Sequence, residues 1–223
     1  MPSPLQTVLF DFDYTLADSS TGVIASVNFA LQELGLPAAS DTVIRQTIGL
    51  SLADTFAFIV GESLAADRFA AASQDFDHLF IQQADTIMAE STVILPGVAQ
   101  TIGTLKGLGF TLGVVSSKFR YRIEQVLERE DLAAQFDVIV GREDVIASKP
   151  APEGLLTAMS QLGSMPDTTC YVGDSTTDAK AAQRIQTPFI AVLTGVTPQS
   201  EFAAYPCLKT VSGIAEIPDA IAK

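Results

Sequence analysis

Short apolar runs rich in β-branched residues recur along the chain at Leu5–Phe10, Phe110–Val115, Phe136–Val140, Thr169–Val172 and Phe189–Leu193, with a weaker one at Leu208–Val211. Within the first five, Asp137 is the only charge. Between most of them lie segments of helical length: Gly97–Lys106, Arg120–Glu130, Pro152–Leu162 and Thr176–Ile185. Strands that are apolar nearly throughout, separated by helices, predict a parallel sheet covered on both faces, that is, a doubly wound α/β core. One stretch breaks the alternation. From Ser20 to Ala89 no strand pattern appears, whereas Val23, Val27, Leu31 and Leu34 recur at helical spacing, as do Phe69, Phe76, Phe80 and Ile87. Gly35-Leu36-Pro37 ends the first of these helices, and Gly49 and Gly61 punctuate the middle. The pattern predicts an all-helical insert over 17–91, with the α/β core formed by 1–16 and 92–223.

Composition narrows the function classes. The chain has 223 residues, 48% of them hydrophobic, enough for a sizeable core in one large domain or two modest ones. Its formal net charge of −13 argues against a nucleic-acid partner and against an anionic membrane surface, both of which require clustered Lys and Arg. From Ala17 to Thr92 there are ten acidic residues and two basic ones, Arg45 and Arg68. The two cysteines, Cys170 and Cys207, make no disulfide framework, so reduced thiols in a cytoplasm are expected. The start of the chain has no basic segment before its first apolar run, so no signal peptide is read there. No stretch approaches the roughly 18 apolar residues of a membrane span.

The chemistry gathers at strand ends. Val8-Leu9-Phe10 runs into Asp11-Phe12-Asp13-Tyr14-Thr15, and ligands of open parallel sheets bind at the carboxyl ends of strands. Two aspartates so close are costly to hold together unless a cation or proton compensates. Val114-Val115 leads into Ser116-Ser117-Lys118, the strand near Val140 into a loop reaching Lys149-Pro150, and Tyr171-Val172 into Gly173-Asp174-Ser175-Thr176-Thr177-Asp178. Each feature has a bland explanation: Asp13 as a turn residue, Ser116 as a helix cap, Lys149 as a solvated loop lysine, Asp178 as an acid in a first helical turn. Together they offer carboxylates for a hard divalent cation, a lysine, and hydroxyl and N–H donors for an oxyanion, which is what phosphoryl transfer needs. Oxygen-only ligation points to Mg²⁺.

At these residues the sequence resembles the haloacid dehalogenase-like (HAD) hydrolase superfamily. Asp11 to Thr15 matches its Asp-x-Asp-x-Thr motif, and Ser116 its strand-closing hydroxyl. Lys149 to Pro152 matches Lys-Pro-x-Pro, and Gly173 to Asp178 matches Gly-Asp-x-x-x-Asp, in the family's order. Ile48–Leu52 and Asp54–Phe56 look like the cap loop of the phosphoglycolate phosphatase-like branch. Tyr14 stands where that branch usually has glycine, and Ser117 where it often has asparagine.

The resemblance implies a Rossmann-like core with an inserted helical cap, and a phosphatase of small phosphorylated metabolites. It makes Asp11 the nucleophile that forms an aspartyl-phosphate, and Asp13 the general acid and base. It assigns Mg²⁺ to the carboxylates of Asp11 and Asp174 and the backbone carbonyl of Asp13. Asp178 would hold a metal-bound water or orient Lys149. Ser116 and the Ser117 N–H would hold the phosphoryl oxygens, and Lys149 would neutralise charge. A pyrophosphatase of the same branch and a sugar-phosphate mutase are the alternatives, the latter disfavoured because its fourth motif usually reads Glu-Asp. Asp13 argues against a dehalogenase. The lack of lysine between Ala17 and Thr92 argues against a phosphonate-cleaving relative.

Other residues have weaker signals. Arg45, four residues before Gly49, is expected either in a surface salt bridge or, with Gly49, against an anionic part of the leaving group. Arg120 and Arg122 form a second candidate pair, with an exposed helix face as the plainer expectation. His78 is expected on a solvated face.

Overall fold

Thr7–Phe10 (β1) is buried on both faces, as its unbroken apolar run predicts. In the computed structural model, which describes residues 4–61, 64 and 66–221, it is the third of six strands in a wholly parallel sheet. The elements follow in chain order: Ala17–Asp18 (β2), Ser20–Glu33 (α1), Asp41–Arg45 (α2), Leu52–Val60 (α3), Ala66–Ser91 (α4), Val93–Ile94 (β3), Val98–Gly107 (α5) and Thr111–Val115 (β4). Then come Arg120–Arg129 (α6), Val138–Val140 (β5), Glu153–Leu162 (α7), Thr169–Gly173 (β6), Thr176–Arg184 (α8), Phe189–Val192 (β7), Gln199–Phe202 (α9), Cys207–Val211 (β8) and Ile217–Ile221 (α10). The sheet order is β5-β4-β1-β6-β7-β8, with β2 and β3 paired in a second, two-stranded sheet.

That order fixes where a ligand belongs. From β1 the chain moves outward through β4 and β5, then returns to β6 on the other side of β1 and moves outward again. The direction reverses at β1, so the carboxyl ends of β4, β1 and β6 flank the switch point. Side chains alternate across each strand. Val8 and Phe10 join Cys170, Val172, Ile102 and Ile123 in one core layer, while Leu9 and Tyr171 join Leu155, Met159 and Phe189 in the other.

Chain contacts define two compact units, one formed by Met1–Asp18 with Ile94–Lys223 and the other by Ser19–Val93. The second is helical and has its own core, in which Phe56 lies 5.1 Å from Phe76 and 5.2 Å from Phe69 between ring centroids. Two of its helices, α2 and α3, start at serines whose hydroxyls accept from the backbone: Ser40 from Val43 N at 3.4 Å and Ser51 from Asp54 N at 3.1 Å. His78 is exposed on α4, with Nδ1 2.9 Å from the Gln74 carbonyl oxygen. No helix among the described residues is long and apolar enough to cross a membrane.

Candidate active site

All the motif residues predicted at strand ends lie within the sheet-bearing unit. Asp11 directly follows β1, its backbone N–H donating to the Val172 carbonyl at 2.9 Å, and its side chain is buried. A tight turn follows, in which the Phe12 carbonyl accepts from the N–H groups of Thr15, Leu16 and Ala17. Tyr14 is the residue that bends it, at φ 58°. This left-handed conformation costs an L-residue about 1–2 kcal/mol and glycine nothing, which explains the family's usual glycine here.

Asp174 and Asp178 stand at the end of β6 and in the first turn of α8. One oxygen each from Asp11, Asp174 and Asp178 can be chosen so that all three lie within 4.8 Å of one another, and all three side chains are buried. Glycine makes the crowding possible. A Cβ on Gly173 would stand 2.6 Å from Asp178 Oδ2, and one on Gly195, in the loop after β7, would collide with the Asp174 carboxylate. The Thr15 hydroxyl donates to Asp174 Oδ1 at 3.4 Å.

Asp178 combines two of the roles considered from the sequence. Its Oδ2 accepts from the Ser175 N–H at 3.1 Å and the Ser175 hydroxyl at 2.5 Å, while the Asp178 N–H donates back to Ser175 Oγ at 3.2 Å: a capping box opening α8. Its Oδ1 accepts from Lys149 Nζ at 2.6 Å. Lys149 is anything but solvated, with 5% of its side chain exposed. Its Nζ is also 2.9 Å from Asp11 Oδ1, as an ion pair rather than an aligned hydrogen bond, so that this oxygen has no hydrogen-bond partner. The loop carrying Lys149 is held by Glu153, whose carboxylate accepts from the N–H groups of Ile146 and Ala147 at 2.9 and 2.8 Å.

The charges perturb one another. Burial, then the neighbouring Asp178, pushes the Asp11 carboxyl up to about 6 against the pull of Lys149. Burial and the charges of Asp178 and Asp11 raise Asp174 well above the usual carboxylate range. Burial would lower the Lys149 ammonium, but Asp11 and Asp178 outweigh it and hold it above the ordinary lysine value. Three carboxylates against one ammonium leave negative charge unbalanced. The donor set is all oxygen, and Asp11 Oδ1 lacks a hydrogen bond, so the cluster fits a small hard divalent cation such as Mg²⁺.

The second phosphoryl-binding candidate also sits at a strand end. Ser116 follows β4 and is buried; its Oγ accepts from the Lys118 N–H at 3.3 Å, and α6 begins only after Phe119, so it is not the helix cap. The Ser117 hydroxyl is buried without a hydrogen-bond partner among the described residues.

Two residues at the site were not singled out from the sequence. Lys118 reads in the sequence only as the residue following Ser116-Ser117 at a strand end; its Nζ lies 3.2 Å from Asp13 Oδ1 and 3.4 Å from Oδ2, with both side chains largely buried. Tyr171 was read as part of an apolar strand; its hydroxyl accepts from Lys149 Nζ at 3.1 Å and stands 2.9 Å from Asp178 Oδ1. The polarity pattern around Lys118 and Tyr171 gives no sign of either contact, because both depend on which strands are neighbours.

The remaining candidates lie elsewhere. Arg45 ends α2 and Gly49 follows it at φ 94°, both in the helical unit. Arg120 is committed to Asp144 at 3.0 Å and Glu124 at 3.2 Å. Arg122 departs from the exposed face expected of it. It is buried, with its guanidinium 5.2 Å from the Phe119 ring centroid and 5.4 Å from that of Tyr121, because the two rings stack on it.

Comparison with known proteins agrees with this arrangement. A family model described as haloacid dehalogenase-like hydrolase matches residues 8–192. A probable phosphatase, IndB, of Dickeya dadantii is 35% identical over 189 residues, covering 85% of this chain and 81% of its own. A phosphoglycolate phosphatase of Salmonella typhimurium is 34% identical over 210 residues, covering 86% and 82%. The crystal structure of a haloacid dehalogenase-like hydrolase from Bacteroides fragilis superposes with a TM-score of 0.89 at 36% identity, covering 96% of this chain and 99% of that one. With its four motif loops converging at the switch point of a parallel sheet, and with relatives matched over most of their length, this chain belongs to the haloacid dehalogenase-like hydrolase family.

Proposed function

We propose that the protein is a Mg²⁺-dependent phosphatase of a small phosphomonoester, working through an aspartyl-phosphate on Asp11. The observation that carries this reading is the buried cluster of Asp11, Asp174 and Asp178 with Lys149 Nζ 2.9 Å from Asp11. Asp11 and Asp174, with the Asp13 backbone carbonyl, would hold the ion. When bound, it supplies Lewis-acid charge that offsets repulsion between a carboxylate and a phosphate dianion. Asp11 attacks phosphorus with one carboxylate oxygen, and the ester oxygen leaves with a proton from Asp13. Asp13 then takes a proton from the water that attacks phosphorus, releasing phosphate and the Asp11 carboxylate. Lys149, Ser116 and the Ser117 N–H hold the phosphoryl oxygens, and Asp178 holds Lys149.

The phosphoglycolate phosphatase relatives support a small anionic substrate of that kind. In this reading the helical unit acts as a cap that selects the leaving group, with Arg45 and Gly49 as its candidate substrate-binding residues, in a cytoplasmic enzyme. The test is to quench the enzyme in acid during turnover of p-nitrophenyl phosphate with Mg²⁺ and to map phosphoryl groups by peptide mass. The reading expects the modification on Asp11; a phosphoryl group on any other residue contradicts it.

A further inference from the structure

Tyr171 is the middle residue of β6, and its ring packs into the core layer that holds Phe189, 6.1 Å away between centroids. For that packing a phenylalanine would serve better, since a buried hydroxyl costs desolvation unless it is bonded. Here it is bonded three ways. It accepts from Lys149 Nζ at 3.1 Å, and its single proton is shared between Asp178 Oδ1 at 2.9 Å and the Val115 carbonyl at 3.0 Å. β6 and β4 flank β1, so the tyrosine reaches over β1 to touch the residue before Ser116. The Lys149 Nζ also lies 5.8 Å from the Tyr171 ring centroid.

We propose that Tyr171 is a positioning residue that locks the Lys149 ammonium in place and ties it to the strand end bearing Ser116. The inference rests on the phosphatase reading, in which Lys149 and Ser116 hold the same phosphoryl group. A lysine has several freely rotating bonds and three N–H donors. Asp178 alone leaves the ammonium free to rotate and swing about one contact. A second anchor on Tyr171 fixes where the ammonium stands, 2.9 Å from Asp11 Oδ1 as an ion pair. The bond to Val115 sets the distance between that ammonium and the Ser116 loop. Because the two groups tighten on the phosphoryl oxygens in the transition state, loosening one lowers kcat more than it raises KM.

The experiment is a double-mutant cycle of Tyr171→Phe and Lys149→Met, read by kcat and KM for p-nitrophenyl phosphate with Mg²⁺ and by urea unfolding in EDTA. Tyr171→Phe is expected to fold and to lower kcat by roughly 10- to 100-fold, the range typical of a supporting hydrogen-bond partner, with KM within about twofold. In the Lys149→Met background the same change is expected to lower residual activity less than about twofold and to shift the urea midpoint less than in the wild type. Where residual activity falls below detection, the urea cycle decides. An unchanged kcat in Tyr171→Phe, equal losses with and without Lys149, or a Tyr171→Phe protein that does not fold would each overturn the proposal. Wild-type protein without phosphatase activity would instead sink the reading on which it rests.

Discussion

Lys118 Nζ lies 3.2 Å from Asp13 Oδ1, and only 5% and 10% of the two side chains are exposed. The pair joins the loop after β4 to the loop after β1 and neutralises a carboxylate that would otherwise be costly to bury. Removing one partner leaves the other charged and poorly solvated. Lys118→Met is therefore expected to destabilise the fold by about 3 kcal/mol. Adding Asp13→Asn to it should restore part of that loss, and urea unfolding of the two single variants and the double variant measures the restoration.

Gly195 backs directly onto Asp174. A methyl group there must displace the carboxylate, so Gly195→Ala should leave the sheet folded but raise the Mg²⁺ concentration for half-maximal activity about tenfold or more. A titration of activity against Mg²⁺ checks it; an unchanged midpoint would show that Asp174 has room to spare.

The carboxylate cluster makes the metal-free protein sensitive to pH in a direction opposite to ordinary acid denaturation. Burial pushes the Asp11 carboxyl up to about 6 in the fold against 3.8 for a free side chain, and burial with the neighbouring carboxylates also raises Asp174 well above the usual carboxylate range. A raised folded-state pKa means that the native state binds more protons than the unfolded chain. This contribution to stability is fully present below about pH 4 and is lost as pH rises through about 6. Thermal melts in EDTA at fixed ionic strength should therefore show this contribution to Tm falling away between about pH 4 and pH 6 (about 2–4 °C per kcal/mol at this size). Mg²⁺ should reverse the trend by binding the ionised cluster.

Asp174→Asn separates charge repulsion from packing. In EDTA, at alkaline pH where the cluster is ionised, it removes a buried negative charge and should raise Tm, while Mg²⁺ should raise the wild-type Tm and leave the variant nearly unmoved. A variant less stable than wild type in EDTA would mean that Asp174 contributes mainly through its hydrogen bond with Thr15.

In the helical unit, Phe76 is fully buried between Phe56 and Phe80. Phe76→Ala should cost about 3–5 kcal/mol, measured by chemical unfolding followed with a probe in that unit.

Asp11 and Asp174 were legible because a charge at the carboxyl end of an apolar run is conspicuous, whereas Lys149 and Asp178, farther along the loop after β5 and in the first turn of α8, were legible through the Lys-Pro-x-Pro and Gly-Asp-x-x-x-Asp spacings. Hidden were the residues whose roles depend on strand order. Tyr171 resembles any core aromatic until β4 and β6 are known to flank β1, and Gly195 resembles any turn glycine until it is placed against Asp174. Lys118 follows Ser116 in the sequence, but nothing local indicates that it turns toward Asp13. Arg122, as a charged residue two positions from Arg120 and Glu124, reads as surface, yet it is buried with its guanidinium over the rings of Phe119 and Tyr121. Strand limits moved for a similar reason. The run at Phe136–Val140 yields strand only from Val138, because the Asp137 carboxylate binds the Leu112 N–H at 2.9 Å and Lys106 at the strand's entry. Glycine's usual place at Tyr14 became understandable only through its positive φ.

The most direct test of the account is the rate of p-nitrophenyl phosphate hydrolysis by Asp11→Asn in saturating Mg²⁺. The amide keeps the shape of the side chain but is a far poorer nucleophile, and the account predicts a loss of roughly a thousandfold or more with Tm maintained. A folded variant that keeps activity within about tenfold of wild type would show that Asp11 does not attack phosphorus.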